Sequence, residues 1–510
     1  YFNLTTSGAR TTASVTLASG TIGVSGTFAP NATFTSGNYV TTGNTIDYNG
    51  SGAQSVAVFM YNNLTLSNAG VKTFASGTTG IAGNFTISGT ATANATANLA
   101  TIDYNGSGAQ AVGAINYHHL TLSNAGVKTF ASGTTGIAGN FTISGTATAN
   151  ATTNSTTIDY NGSGAQTVGA ITYNHLTFSN AGTKTAGGAI TVNGNLTMSG
   201  SASFDGGISL THNFGGNWVV STSAVTPFAF TTSSTINFNT PAVPAATSLD
   251  GTTTATIAFN NLNINNTSGF NLNENVSASG TLTVAASVTL APAAAAVVSG
   301  AGTLTGSGIV KVTRTAATAD FLSQYTITNK TLTNLTVDYD ATAAQTVNAL
   351  NYFNLTTSGA RTTASVTLAG GTIGVSGTFA PNATFTSGTY VTTGNTIDFN
   401  STTAQTVASF TYNNLTISNA TDTSAANYKT AASTLTVGGA LTINAGNTLD
   451  MDGFSSSTFG GGSTNSGKIR WSASNVYVSG TGTTEFYGSS AGNVVAGTSY
   501  GNLWFTGSGT

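Results

Sequence analysis

Short apolar and polar alternations, separated by glycine-bearing breaks, run along the chain. In residues 63–67 (N-L-T-L-S) and 84–88 (N-F-T-I-S) one face carries Leu64 and Leu66, or Phe85 and Ile87, and the other carries Asn, Thr and Ser. A period of two predicts half-buried β-strands. The breaks are S-G, N-G and A-G pairs, whose glycines supply the positive φ of a corner without a Cβ penalty. Strand-favouring Thr, Val, Ile, Tyr and Phe abound while Glu, Lys, Arg and Gln are scarce, so essentially no α-helix is expected.

The alternation is itself repeated. Residues 64–96 recur letter for letter at 120–152, and residues 1–47 return at 352–398 with only Ser19 replaced by Gly370 and Asn38 by Thr389. Two phrases mark the phase. An aromatic-x-N/H-L anchor starts at Tyr1, Tyr61, Tyr117, Tyr173, Phe259, Tyr352, Tyr412 and Tyr500. A T-I-D-Y/F-N phrase followed by A-Q-x-V starts at Thr45, Thr101, Thr157 and Thr396, with variants at Thr235 and Thr336. The anchors define units of about 1–60, 61–116, 117–172, 173–258, 259–351, 352–411, 412–499 and a partial 500–510.

Within the unit 61–116 three apolar clusters precede the restart at Leu120: Leu64 and Leu66, then Ile81, Phe85 and Ile87, then Ile102 and Tyr104. One cluster per coil gives coils of about 19 residues stacked at about 4.8 Å, about 27 coils in all and a rod of about 130 Å. The fold class expected is therefore all-β: a parallel β-helix, or β-solenoid, running continuously over residues 1–510. Tandem small β-sandwich domains are the alternative. They fit less well, because units of this size bury little and no linkers of distinct composition separate them.

Charged residues are 5% of the chain and the formal net charge is −3, so solubility rests on hydroxyls and amides. No basic patch exists to neutralise phosphates, which argues against nucleic acid as a partner. The absence of cysteine removes disulfide and thiolate-metal chemistry. No apolar run approaches the about 18 residues that a membrane-spanning helix needs, so no membrane insertion is expected. The chain opens at Tyr1 inside a repeat phrase, which reads as a piece of something longer.

Candidate chemistry is sparse. Asp47, Asp103, Asp159, Asp338 and Asp398 recur in one phrase and suggest a calcium ladder, yet one acid per repeat unit is too dilute for that, and a corner hydrogen-bonding role fits better. Asp338/Asp340 and Asp450/Asp452 are i, i+2 pairs that a strand would place on one face, as acid–base work requires, but 4 Arg and 2 Glu in the chain leave little to complete a site. His118, His119 and His175 occupy positions held by Asn62 and Asn63 in an earlier unit and read as asparagine replacements, not metal ligands. The rings of Tyr48, Tyr61, Tyr104, Tyr117, Tyr160, Tyr173 and Tyr412 form either a sugar-stacking surface or a core and corner stack. Thr-x-Thr and Thr-x-Ser pairs raise ice binding, which uneven coil lengths disfavour. N-x-S/T sequons arise by chance in such a composition.

The phrases Y-N-N-L-T-x-S, G-N-F-T-I-S-G-T and T-I-D-Y-N-G-S-G-A-Q-x-V resemble the β-strand-repeat proteins of bacterial cell surfaces, secreted chains akin to filamentous-haemagglutinin-like adhesins. The resemblance covers nearly all of the chain and implies an extracellular, cell-surface location and a structural role as rod, filament or sheath, with no chemistry. The expectations that follow are a non-enzyme with no cofactor, no metal and no catalytic residues. Its contacts would be with itself, head to tail or lateral, and with surface glycans if it is an adhesin shaft. A polysaccharide-degrading enzyme is a weaker alternative. The residues on which the repeat is built are Tyr61, Leu64, Tyr117, Leu120, Tyr173, Leu176, Tyr412 and Leu415, with Asp47, Asp103, Asp159 and Asp398.

Overall fold

The alternating segments form short strands whose inward residues are buried in a repeated buried/half-buried pattern, as in Asn63–Leu66 and Thr101–Tyr104. A computed structural model describes residues 1–510 except 225–226, 230–232, 242–244, 252–255, 421–423, 455, 473–479, 488–500 and 507–510. About 51% of the chain is strand and 1% helix, arranged as a parallel β-solenoid of about 22 turns. Two compact units are distinguished, Tyr1–Leu262 and Asn263–Thr510.

In the first unit, after an opening coil of four strands, the parallel pairings join a strand to the one three further along the chain, although some strands, such as Phe85–Ile87 and Phe141–Ile143, end their sheets. Asn63–Leu66 pairs with Phe85–Ile87, Ala69–Phe74 with Thr90–Asn94, and Thr78–Ile81 with Thr101–Tyr104. A coil is therefore three strands on three faces. Sandwich domains would instead pair strands within a unit, largely antiparallel, so that alternative fails. Leu64 sits on Ile46 and carries Phe85, and Leu120 sits on Ile102 and carries Phe141. The two sheets end at these half-buried phenylalanines, and Ile87 and its copy Ile143 are exposed where the alternation predicts them inward.

Coils do not keep to the expected length of about 19 residues. Thr101 is matched with His119 in a short step, whereas Leu120 with Phe141, Thr78 with Thr101 and Gly20 with Asn44 are progressively longer ones. The cause is that apolar clusters do not map one to a coil, so there are fewer turns than one per cluster would give. Passing from the strand that begins at Asn63 to its equivalent at His119 advances eight strands, and eight strands at three per coil make two and two-thirds coils. The sequence repeat is thus out of phase with the coil. The strands Asn44–Tyr48, Thr101–Tyr104 and Thr157–Tyr160, which carry one phrase, lie in three different sheets. Each duplication has moved the phrase by one face.

In the second unit the block 352–398 keeps a coil of four strands, which sets Gly371 against Asn395, before a shorter step sets Thr396 against Asn414. An α-helical turn, Phe321–Gln324, and a 3-10 turn, Ala425–Asn427, interrupt the strands. The first is capped: its N-cap Asp320 accepts from Ser323 N, and Phe321 and Gln324 are buried.

Two different physical demands call for glycine at the corners. Gly70 has φ +77°, the left-handed corner that the sequence predicts. Gly50 and Gly106, in the N-G pairs, do not have positive φ. They are required by close approach, since a Cβ on Gly106 would collide with Ala82 O.

Candidate functional site

The strand Gln110–Val112 follows a turn whose carbonyls point inward. Gln110 Oε1 accepts from Gly106 N at 2.8 Å, and its Nε2 donates to Ile81 O and Gly83 O of the preceding coil at 2.8 and 2.7 Å. From the following coil Lys128, fully buried, brings Nζ to Gln110 Oε1 at 2.6 Å, Gly106 O at 2.6 Å and Gly108 O at 3.1 Å. One glutamine therefore ties three coils together around an ammonium whose donors are all matched. A buried cation needs such partners, because its desolvation is costly.

The same cage recurs. Lys72 meets Gly50 O, Gly52 O and Gln54, and Lys184 meets Gly162 O, Gly164 O and Gln166. In the second unit Lys429 donates to Ser401 O at 2.6 Å, and Arg361 fills the role with Nη2 2.7 Å from Gln345 Oε1. Burial lowers the pKa of Lys72 and Lys128, and brings those of Lys184 and Lys429 to about 8. Asp47, Asp103, Asp159 and Asp398 oppose that shift as the nearby negative charges.

Those aspartates are half-buried. Ser67, Ser179 and Ser418 donate to Asp47, Asp159 and Asp398 at 2.7, 2.9 and 2.7 Å. The carboxyls of Asp103, Asp159 and Asp398 are raised in pKa, first by burial. In Asp47, Asp159 and Asp398 the recurring acid is a serine acceptor that bonds one coil to the next, the hydrogen-bonding role expected of it. No group of three or more potential metal-ligating acids or histidines occurs among the described residues.

Tyr61, Tyr117, Tyr173 and Tyr412 are core residues, each at most 1% exposed, and Leu64, Leu120, Leu176 and Leu415 are fully buried beside them. They present no sugar-stacking surface. Tyr48, Tyr104 and Tyr160 meet Tyr61, Tyr117 and Tyr173 hydroxyl to hydroxyl at 2.8, 2.8 and 3.0 Å. Tyr117 Oη also donates to Gly113 O at 2.8 Å, and Gly113 N donates to Tyr104 Oη at 3.0 Å. The anchor Tyr500 lies outside the described residues.

The histidines do replace asparagine. Asn63 Oδ1 accepts from Asn84 N at 2.8 Å, while His119 Nδ1 accepts from Asn140 N and His175 Nδ1 from Asn195 N, both at 3.0 Å. His118 packs edge-on against His119.

The acidic pairs are engaged. Asp338 accepts from Ser358 at 2.8 Å and Asp340 from Lys311 at 2.5 Å. Asp450 ends its strand and Asp452 turns away with φ +46°, so these two do not share a strand face as expected. Asp450 binds Arg470 at 3.0 Å and the Tyr487 hydroxyl at 2.9 Å, and Arg470 binds Glu485 at 2.8 Å.

The cages escape sequence reasoning. The glutamine stands out only as a phase marker, and the cations belong to neither phrase. A signal is nevertheless present: Lys72, Lys128 and Lys184 each follow their Gln by 18 residues in a chain with only 11 basic residues.

No family model, curated protein or solved structure matches this chain.

Proposed function

We propose that this chain is a structural protein of a bacterial cell surface, its stacked coils forming an extracellular rod, filament or sheath that associates with further copies of itself. The carrying observation is how the repeats use their polar residues. In near-verbatim copies the recurring Lys, Gln and Asp side chains are directed into bonds between successive coils, as in the Lys128–Gln110 cage, and the paired Tyr hydroxyls bond inside a coil. A protein selected for chemistry would keep such groups at a cleft. Here they stiffen the stack.

Further support comes from composition. A surface of hydroxyls and amides without cysteine suits an oxidising exterior, and the resemblance to cell-surface repeat proteins points the same way. The non-catalytic reading is supported by Asp338, Asp340 and Asp450, each already held by Ser358, Lys311 or Arg470.

Immunogold electron microscopy of the producing cells tests the reading. Label along surface fibres or a sheath is expected, and label confined to the cell interior would overturn it.

A further inference from the structure

We propose that the second unit carries a binding groove for a neutral oligosaccharide, on the step where the four-strand coil meets the shorter coil that follows it. The groove has a volume of about 740 Å³, and none of the described residues that line it is charged. The rings of Phe353 and Tyr428 stand in it with the turn Ser401-Thr402-Thr403 and the exposed amide of Asn419.

The chain departs from its own repeats at this place. The turn that reads Gly50-Ser51-Gly52, Gly106-Ser107-Gly108 and Gly162-Ser163-Gly164 in the first unit becomes Ser401-Thr402-Thr403, adding hydroxyls where glycines stood. The residue before the caged lysine is Val71, Val127 or Thr183 in those repeats, and here it is Tyr428. Val71 and Val127 are exposed, so the change places an aromatic ring at an outward position. The ring is held in place: the Arg470 guanidinium packs 4.7 Å from its centroid and is itself fixed by Asp450 and Glu485. Lys429, next in sequence, turns inward to Ser401 O and is not among the residues that line the groove.

These features select the ligand class. Described lining residues without charge give no pairing partner for phosphates or polyanions. Hydroxyls, an amide and two rings lining one groove suit a polyhydroxylated ligand, whose C–H faces stack on aromatics while its hydroxyls exchange hydrogen bonds. The proposal is independent of the structural role, since a shaft without this groove would be equally rigid.

The test is saturation-transfer NMR with cello-, malto- and chito-oligosaccharides and galacto-oligosaccharides, using the full chain. At least one should bind, insensitively to salt. Tyr428→Val, which restores the residue of the other repeats, should weaken it by about tenfold, the equivalent of about 1.4 kcal/mol of stacking. Phe353→Ala should weaken it similarly, both with unchanged melting temperature, while Val127→Ala has no effect. Binding by none of the probes, or binding that survives Tyr428→Val, would overturn the proposal. So would a preference for charged sugars that disappears in salt.

Discussion

Lys128 Nζ lies 2.6 Å from Gln110 Oε1, across the boundary between two coils and out of contact with solvent. The glutamine is the more critical partner, because it also satisfies Ile81 O, Gly83 O and Gly106 N. Gln110→Ala takes one of three acceptors from a buried ammonium and removes the side-chain partner of Gly83 O and Gly106 N, while Ile81 O keeps Asn105 N, and it should destabilise this stretch by about 2–4 kcal/mol. Lys128→Met, which removes the charge and keeps the stem, should cost less. Hydrogen exchange of the amides in 101–130 measures both. Equal loss of protection would show that the glutamine has no special role.

The buried ionisable groups predict a stability maximum in mild alkali. Lys184 and Lys429 have folded pKa values of about 8, below the unfolded 10.5. Between those values the unfolded chain binds more protons, so stability rises with pH. Tyr104 and Tyr160 are pushed up to about 12 from 10.0 by burial. Above about pH 10 the unfolded chain loses protons that the folded chain keeps, so stability falls. The melting temperature should climb from about pH 8 to about pH 10 and then decline. A monotonic fall over that range would contradict the lysine burial.

The two glycines of one turn should behave differently. Gly106→Ala would press a methyl against Ala82 O and should cost about 1–3 kcal/mol. Gly108 has nothing within 4 Å of a built Cβ, and Gly108→Ala should stay within about 0.5 kcal/mol. Denaturant titration of the two variants separates close approach from mere flexibility.

Tyr117→Phe removes one hydroxyl from the pair with Tyr104 but leaves the Gly113 N to Tyr104 bond. A loss of about 1 kcal/mol is expected. Tyr117→Ala opens a cavity in the core and should cost about 3–5 kcal/mol. A small effect from both would place the ring outside the core.

Much of the fold is legible because inward alternation is written residue by residue: Leu64, Phe85, Ile102 and Leu120 mark strands that do stack. The coil count is not, because Tyr117 and Tyr61 look equivalent in sequence but pair into different sheets. Nothing local encodes a phase slip of one face per repeat. It emerges from how many strands a coil needs to close. The cages are hidden for a related reason: Lys128 and Gln110 are 18 residues apart and adjacent only once the coil is wound.

That winding is the central claim, and cryo-electron microscopy of the chain tests it most directly. The result predicted is coils at about 4.8 Å spacing, of three strands except for the four-strand coils of the opening block and its copy at 352–398, with the phrases at Asp47, Asp103 and Asp159 on three successive faces. Those phrases aligned along one face, or separate compact beads, would contradict it.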